Sequence, residues 1–268
     1  MSIYDDLSDP TLRIPVPDAQ AGDGLPRIWW RYGAPPSQAG FFYSPASAWP
    51  TPLPDPWVEE EVFQGEAGWV TRSLELCVVL KRAQPYRKVQ VGGKVWRAYA
   101  PRWEPGMQIH TEVLCLIRGV DTPAVWSYHG ATGAVAENCK DGIWATATRL
   151  LATEASRRAR RPVSLSAFWV LLGPTLDSRG KPVFARLTQG ATLNHVALRL
   201  PDAPAEELPA RQYVGREILE RVVALQEEYA DWARQRRGDA VPTGEEPPAP
   251  ANGAVAAEED MYDESAPF

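Results

Sequence analysis

The sequence is poor in the residues that build disulfide frameworks, zinc sites and membrane spans. Its 268 residues include three cysteines and three histidines. The cysteines, Cys77, Cys115 and Cys139, show no CxxC spacing, which indicates free thiols in a reducing compartment. No apolar run reaches the roughly 18 residues of a membrane span, and the first residues lack the basic and apolar regions of a signal peptide. We expect a cytoplasmic protein, in a bacterial cell or a phage-infected host, that contacts no membrane.

Catalytic signatures are also lacking. The sequence contains no phosphate-binding Walker loop and no GxSxG nucleophile elbow. The nearest His/Cys pair, His129 and Cys139, does not have zinc-site spacing. Acidic residues of the middle of the chain, such as Glu75, Glu104 and Glu112, are isolated, whereas a metal nuclease needs two or three carboxylates to converge. We therefore expect no enzyme activity, no metal and no cofactor.

The net charge of −6 conceals three blocks of different sign. Residues 1–64 carry 3 basic and 9 acidic side chains, residues 65–200 carry 19 and 9, and residues 201–268 carry 6 and 16. A basic middle between acidic ends is typical of a protein whose body binds a polyanion. The same asymmetry is also compatible with three solvated surfaces that bind nothing.

Hydrophobic patterning predicts a mainly β chain with two helices. In the first predicted strand, Leu74, Leu76, Val78 and Leu80 fall on one face. The predicted order in the basic block is three strands, a helix and two strands, at 69–82, 94–103, 107–118, 141–160, 164–173 and 181–188. This is the order of an OB-fold-like five-stranded barrel, a fold often used on oligonucleotides. A generic α+β domain is the alternative.

Helical periodicity returns near the C-terminus. Residues 211–236 carry an apolar stripe at spacings of three and four, which predicts an amphipathic helix. The stripe consists of Val214, Ile218, Val222, Leu225, Tyr229 and Trp232. Residues 238–257 are rich in Pro, Gly, Ala and Glu, which predicts a disordered linker.

Aromatic residues crowd the segment before the basic block. Eight of them lie between 29 and 57 among prolines and glycines. We expect them to pack structurally or to form an oligomer contact, with a second stacking surface as the alternative. On a short strand, Trp29 and Trp30 point to opposite faces, so only one of them points inward.

The last eleven residues, 258–268, combine acidic side chains with an apolar end. Asp260, Asp263 and Glu264 precede the terminal Pro267-Phe268. This segment resembles the C-terminal tail of bacterial single-stranded DNA-binding (SSB) proteins, in which a disordered linker leads to an acidic, hydrophobic tip that docks on partner proteins. The family usually has Ile before the Pro, whereas this chain has Ala266. About 60 residues precede the basic block, which favours a divergent, phage-encoded version. The resemblance implies recruitment of replication or repair proteins by these five residues; a solubilising tail is the alternative.

Basic and aromatic residues alternate in the middle block. Single-strand binders need cations along the phosphates and flat rings on which bases stack, and stacking tolerates any sequence. On a strand, Arg97 and Tyr99 face away from Trp96, and the sequence does not decide which face is core. The nucleic-acid-binding candidates are Arg87, Lys88, Lys94, Trp96, Arg97, Tyr99, Arg102, Trp103, Trp126 and Tyr128.

These patterns divide the chain into five segments with different expected roles. They are an N-terminal extension (1–64), an OB-like DNA-binding domain (65–200), a C-terminal helix (201–237), a linker (238–257) and a recruiting tip (258–268). We expect a protein that binds single-stranded DNA without sequence preference in replication, recombination or repair, and that forms a homo-oligomer or acts as a monomer. The alternatives are a protein-interaction adaptor without DNA binding and a strand-annealing recombination protein.

Overall fold

The computed structural model describes residues 24–31, 40–63, 66–91, 94–181, 183, 185–186 and 192–234. Within these ranges the protein is mainly β, with one large mixed sheet and several short helices. The coarse fold prediction is therefore confirmed. The predicted tip and linker lie outside the described residues.

Twelve strands are present in the described part of the chain. Ten of them form the large sheet, and β10 and β11 form a separate antiparallel pair. Their bounds are β1 Arg27–Arg31, β2 Phe41–Pro45, β3 Val58–Phe63, β4 Glu66–Thr71, β5 Leu74–Val91, β6 Lys94–Tyr99, β7 Gln108–Ile117, β8 Ala124–Tyr128, β9 Val170–Pro174, β10 Ala185–Arg186, β11 Thr192–Leu193 and β12 Val196–Leu198.

The strand order of the large sheet is β12-β9-β5-β7-β8-β1-β2-β4-β3, with β6 on β5. The sheet is open and has ten strands, so the predicted five-stranded barrel is not confirmed. The reason lies in the N-terminal segment, whose strand β1 pairs in parallel with β8 through Arg27↔Val125 and Ile28↔Trp126. Strands β2, β4 and β3 then extend the sheet beyond β1.

The predicted strand 69–82 is divided, since its first residues belong to β4 and β5 begins at Leu74. Strand β5 is 18 residues long and continues to Val91, beyond the predicted end. It pairs with β7 up to Tyr86 and carries an irregularity between Val78 and Leu80. Leu74, Leu76 and Val78 pack in one core cluster, whereas Leu80 packs in the cluster on the opposite face. The predicted alignment of Leu80 with the other three is therefore wrong, because a bulge shifts the alternation by one residue.

Short helices follow β8 and β12. Their bounds are α1 Gly130–Glu137, α2 Ile143–Ala147, α3 Glu154–Ala159, α4 Leu208–Gln212, α5 Arg216–Glu228 and α6 Ala230–Arg234. A π-helical stretch, Thr148–Thr153, joins α2 to α3 without a break, so the helix predicted at 141–160 is present with an irregular middle. The second predicted helix is divided, because Gly215 adopts a φ of 87° between α4 and α5.

Two core clusters lie on the two faces of the sheet. One contains Leu74, Val113 and Trp126 together with Ile143 and Ala147 of α2. The other packs Leu114, Leu116 and Val125 against the C-terminal helices. The predicted stripe is confirmed there, since Val214, Val222, Leu225 and Trp232 are buried and Ile218 and Tyr229 pack beside them.

The N-terminal aromatic residues contribute to the core of the sheet. Trp30, Phe42, Tyr43, Trp49 and Trp57 are buried. On β1 the burial alternates, with Trp30 inside and Trp29 half-exposed, as predicted. Of the described helices, none is long and apolar enough to cross a membrane.

Candidate nucleic-acid interface

The basic hairpin, residues 86–103, consists of the distal part of β5, strand β6 and the start of the following loop. Its pairing runs from Tyr86↔Tyr99 to Val91↔Lys94. The pairing of β5 with β7 ends at Tyr86, whereas the pairing of β5 with β6 continues for five more residues, to Val91. At a rise of about 3.3 Å per residue, the hairpin extends roughly 16 Å past the end of β7.

Four predicted residues of this hairpin are exposed and are called its rim here: Arg87, Lys88, Arg102 and Trp103. Arg87 and Lys88 are consecutive on β5, so they lie on opposite faces of the hairpin. The Trp103 side chain is 56% exposed, and its Nε1 donates to the Met107 carbonyl at 3.1 Å. One edge of the indole is thus fixed while much of the ring is open to solvent. Arg87 pairs with Glu104 at 2.5 Å, but both side chains are at least half exposed, so the pair is screened and weak.

Beneath the rim lies an inner network of Tyr86, Arg97, Tyr99, His110, Ser127 and His129. The Arg97 guanidinium lies 5.5 Å from the Tyr86 ring centroid and 2.8 Å from His129 Nε2. Because arginine only donates, His129 Nε2 must accept in this bond. Arg97 and Tyr99 share a face, as both predicted arrangements require, and in the structure that face is turned inward.

His110 connects two hydroxyl groups in the same network. Its Nδ1 lies 2.9 Å from the Tyr99 hydroxyl and its Nε2 lies 2.7 Å from Ser127 Oγ. Tyr86 and His129 pack against His110 edge to face. Tyr86, Tyr99 and His110 are all buried, so the network supports β6 from below and presents no ring to solvent.

A buried ion cluster lies further along β7. Glu112 is 2% exposed and accepts from Arg27 of β1 and from Arg82 of β5, the latter at 2.7 Å. Arg82 also lies 4.0 Å from the Trp232 ring centroid and donates to the Trp232 carbonyl at 2.9 Å. Two guanidinium groups thus neutralise one buried carboxylate and connect β1, β5, β7 and α6.

Sequence reasoning did not identify this ion cluster or the role of His110 and His129. One signal was present: Glu112 directly precedes the apolar run 113–117 within a predicted strand. A carboxylate in a strand that is buried on both faces needs a cationic partner.

Trp126 and Tyr128 are in the core, away from the surface. Trp126 is fully buried, and Tyr128 is 3% exposed. The Tyr128 hydroxyl donates to Glu137 at 2.6 Å and accepts from Trp144 Nε1 at 2.7 Å. Burial, reinforced by Glu137, raises the pKa of Tyr128 far above its ordinary value. Neither ring can stack on a base in this conformation.

The remaining predicted residues are placed only partly. Lys94 and Trp96 lie on β6, but their side chains are outside what the structure describes. Asp260, Asp263, Glu264, Pro267 and Phe268 lie entirely outside the described residues.

The basic run 157–161 covers the last turn of α3 and the residues directly after it, and it is exposed. Arg157 and Arg158 bond Glu154 at 2.7 and 2.9 Å. Hydrogen bonds from Arg157 and then Arg158 lower the pKa of the Glu154 carboxyl to about 2. Arg160 adopts a φ of 52° and ends the helix. Two of these cations are thus already engaged within their own helix.

Comparison with known proteins adds no homologue. No protein-family model, curated protein or solved structure matches this chain. In the described ranges, no three His, Cys, Asp or Glu side chains converge as metal ligands. Function is therefore inferred from side-chain chemistry and from the resemblance of the last eleven residues.

Proposed function

We propose that this protein binds single-stranded DNA without sequence preference through the exposed rim of the basic hairpin, and recruits replication or repair proteins through residues 258–268. The observation that carries the proposal is the exposed Trp103 ring on a hairpin that also exposes the cations Arg87, Lys88 and Arg102. A ring offers a stacking surface to any base, and cations follow the phosphates.

The connectivity of five strands supports this placement. Strands β5, β7 and β8 form an antiparallel meander, helices α1 to α3 follow, and β9 then pairs with β5 and β12 with β9. We propose an opened OB-type arrangement in which β1 occupies the edge of β8 that would close the barrel. OB-folds bind oligonucleotides over strands two and three and over the loops between strands one and two and between four and five.

The basic hairpin lies in the corresponding first loop, between β5 and β7. The second loop, between β9 and β12, exposes Arg179 and Lys181 at the turn that begins at Asp177. Both loops therefore contribute positive charge, as a polyanion groove requires. Preference for single strands follows from stacking, because the bases of a duplex are already stacked on each other.

A fluorescence titration with oligo-dT at two salt concentrations, alongside duplex DNA, tests the proposal. We expect tryptophan quenching, weak duplex binding and an affinity that falls steeply with salt. Absence of both quenching and salt-dependent affinity would contradict DNA binding and favour the adaptor alternative. Faster annealing of complementary strands would instead favour the recombination alternative.

Trp103→Ala localises the binding surface. We expect it to weaken oligo-dT binding by about 1–3 kcal/mol, the usual contribution of one stacked base. The matched control is Tyr213→Ala, which removes a 48% exposed ring between α4 and α5, outside the hairpin. Equal affinities for Trp103→Ala and the unmodified protein would exclude this ring as a stacking platform.

Truncation before residue 258 separates the two parts of the proposal. An acidic segment repels phosphates, so oligo-dT affinity is expected to stay equal or to rise without it. A loss of oligo-dT affinity on truncation would show that residues 258–268 contribute to DNA binding and would contradict the proposed division of roles.

A further inference from the structure

The basic hairpin projects beyond β7, so its position depends on the contacts at its base. In the described part of the chain, β6 pairs only with β5, and an isolated two-stranded ribbon is at most marginally stable in water. Arg97 and Tyr99 anchor β6 to the body of the protein through His129 and His110, respectively. The protonation of these two imidazoles therefore bears on the whole hairpin.

His129 can hold Arg97 only while its imidazole is neutral. Its Nε2 lies 2.8 Å from the guanidinium and accepts the hydrogen bond, because arginine has no acceptor. A protonated imidazole carries a hydrogen on both ring nitrogens and cannot accept. Protonation therefore breaks this bond and brings two cations together. Because His129 is 7% exposed, water screens their repulsion poorly.

His110 is not constrained in the same way. Its two ring nitrogens meet the hydroxyl groups of Tyr99 and Ser127, and a hydroxyl can accept as well as donate. A protonated His110 can thus keep both bonds by donating twice. Its ring centroid lies 6.2 Å from that of His129, so a charge on one ring opposes a charge on the other. The anchor that acid cannot preserve is the one between Arg97 and His129.

The surroundings of His129 also disfavour a positive charge. It is the residue before the first turn of α1, where the positive end of the helix dipole repels a cation. The acidic residue of β7, Glu112, already accepts from two arginines, so its charge is matched. Titratable and charged groups share this face of the sheet on three strands: Tyr86 and Lys88 of β5, Arg97 and Tyr99 of β6, and His110 and Glu112 of β7.

We propose that protonation of His129 releases the basic hairpin from the body of the protein. The structure then describes the closed, neutral-pH state of a switch that opens on acidification. The part of the hairpin beyond Tyr86 loses its anchor at Arg97, while Tyr99 still holds its base through His110. The switch rests on this network and not on DNA binding, so its test uses the protein alone.

Hydrogen–deuterium exchange of the full chain without DNA, from about pH 7.5 to about pH 5.5, spans the range in which a free imidazole titrates. The closed state needs a neutral His129, so its stability is complete above this range and is lost as the pH falls. After correction for intrinsic exchange rates, we expect the protection of residues 86–91 and 94–99 to fall by up to roughly tenfold per pH unit below about pH 6.5, because opening takes up one proton.

The internal control is the hairpin of β3 and β4. Residues 58–63 and 66–71 contain no histidine, so their protection should not change over the same pH range. An equal loss of protection there would mean that acid destabilises the whole protein and would overturn the proposal. Unchanged protection of the basic hairpin at every pH would overturn it too.

Two substitutions assign the response to the anchor. His129→Gln supplies an amide oxygen that accepts from Arg97 and does not titrate, so the hairpin should stay closed at acid pH. Arg97→Gln removes the cation that repels an imidazolium and should also flatten the response. The matched control is His195→Gln, which replaces a half-buried histidine between β11 and β12 and should respond like the unmodified protein.

Near-UV circular dichroism at neutral pH shows which variants are folded, and Arg97→Gln carries the test if His129→Gln does not fold. The proposal is overturned if a folded His129→Gln or Arg97→Gln variant loses hairpin protection with acid as the unmodified protein does. It is also overturned if His195→Gln abolishes the response.

Discussion

At the residue scale, Glu112 offers the clearest energetic test. Its carboxylate is buried between Arg27 and Arg82, whose side chains are 19% and 13% exposed. Glu112→Ala leaves two guanidinium groups close together without a counter-charge. We expect a loss of about 3 kcal/mol in the free energy of unfolding. This is the lower end of the range measured when one partner of a buried ion pair is removed, because both arginine side chains remain partly exposed to water. Urea unfolding measures this loss.

The exposed ion pair on the hairpin is the control for that substitution. Glu104→Ala removes the partner of Arg87, and both side chains of this pair are largely solvated. We expect a change below about 1 kcal/mol. Similar losses for the two variants would mean that the Glu112 cluster contributes no more than a surface pair.

Thiol reactivity provides a second test at this scale. Burial raises the pKa of the Cys77 and Cys115 thiols to about 12. The reactive thiolate is therefore scarce at pH 8 and becomes abundant only as the pH approaches 12. Cys139 is exposed. A chromogenic disulfide reagent should modify one thiol per native chain and all three after denaturation. Rapid modification of a second native thiol would contradict the burial.

The sequence identifies the residue types of the interface but not their orientation. Alternation on a strand leaves two faces for Arg97 and Tyr99, and packing places both inward, where His129 and His110 bond them. His110 lies on β7 and His129 directly precedes α1, 11 and 32 residues away in sequence from Tyr99 and Arg97, respectively. Local pattern carries no information on such pairs, so it predicts neither the inner network nor the burial of Trp126.

At the element scale, helix α5 was predictable and strand β5 was predictable only in part. The α5 stripe repeats every three or four residues, and this period survives in the structure because one face packs on the sheet. In β5 the bulge after Val78 moves the alternation of inward and outward side chains by one residue, and no residue type at this position predicts a bulge. The predicted closed barrel is not confirmed, and β1 pairs along the edge of β8. The two strands are almost a hundred residues apart in sequence, so local patterning does not predict this pairing.

The α5 stripe can be tested with two neighbouring residues. Leu225→Ala removes a side chain that is 8% exposed in the core beneath the helix, and should cost about 2–3 kcal/mol of unfolding free energy. Val223→Ala, on the outer face at 48% exposure, should change it by less than about 0.5 kcal/mol. Urea denaturation of both variants measures the difference, and equal costs would contradict the packing of α5 on the sheet.

At the scale of the whole molecule, the basic block depends on segments from both sides. Strand β1 covers the edge of β8, and the C-terminal helices cover Leu114, Leu116 and Val125. A fragment of residues 65–200 would expose this apolar surface to water. We expect it to lack cooperative unfolding and fixed aromatic near-UV circular dichroism. A sharp urea transition in the fragment would show that the block folds alone.

The parallel pairing of β1 with β8 also has a kinetic consequence. Arg27 meets Val125, so β1 must wait while almost a hundred further residues are synthesised before its partner exists. The hydrogen bond from Arg82 to the Trp232 carbonyl forms later still, because Trp232 follows Arg82 by 150 residues. Folding dominated by such distant contacts is slow. On the ribosome, β1 therefore remains without β8 while β2 and β4 can already pair beside it, which makes the exposed aromatic edge of β1 a candidate chaperone contact.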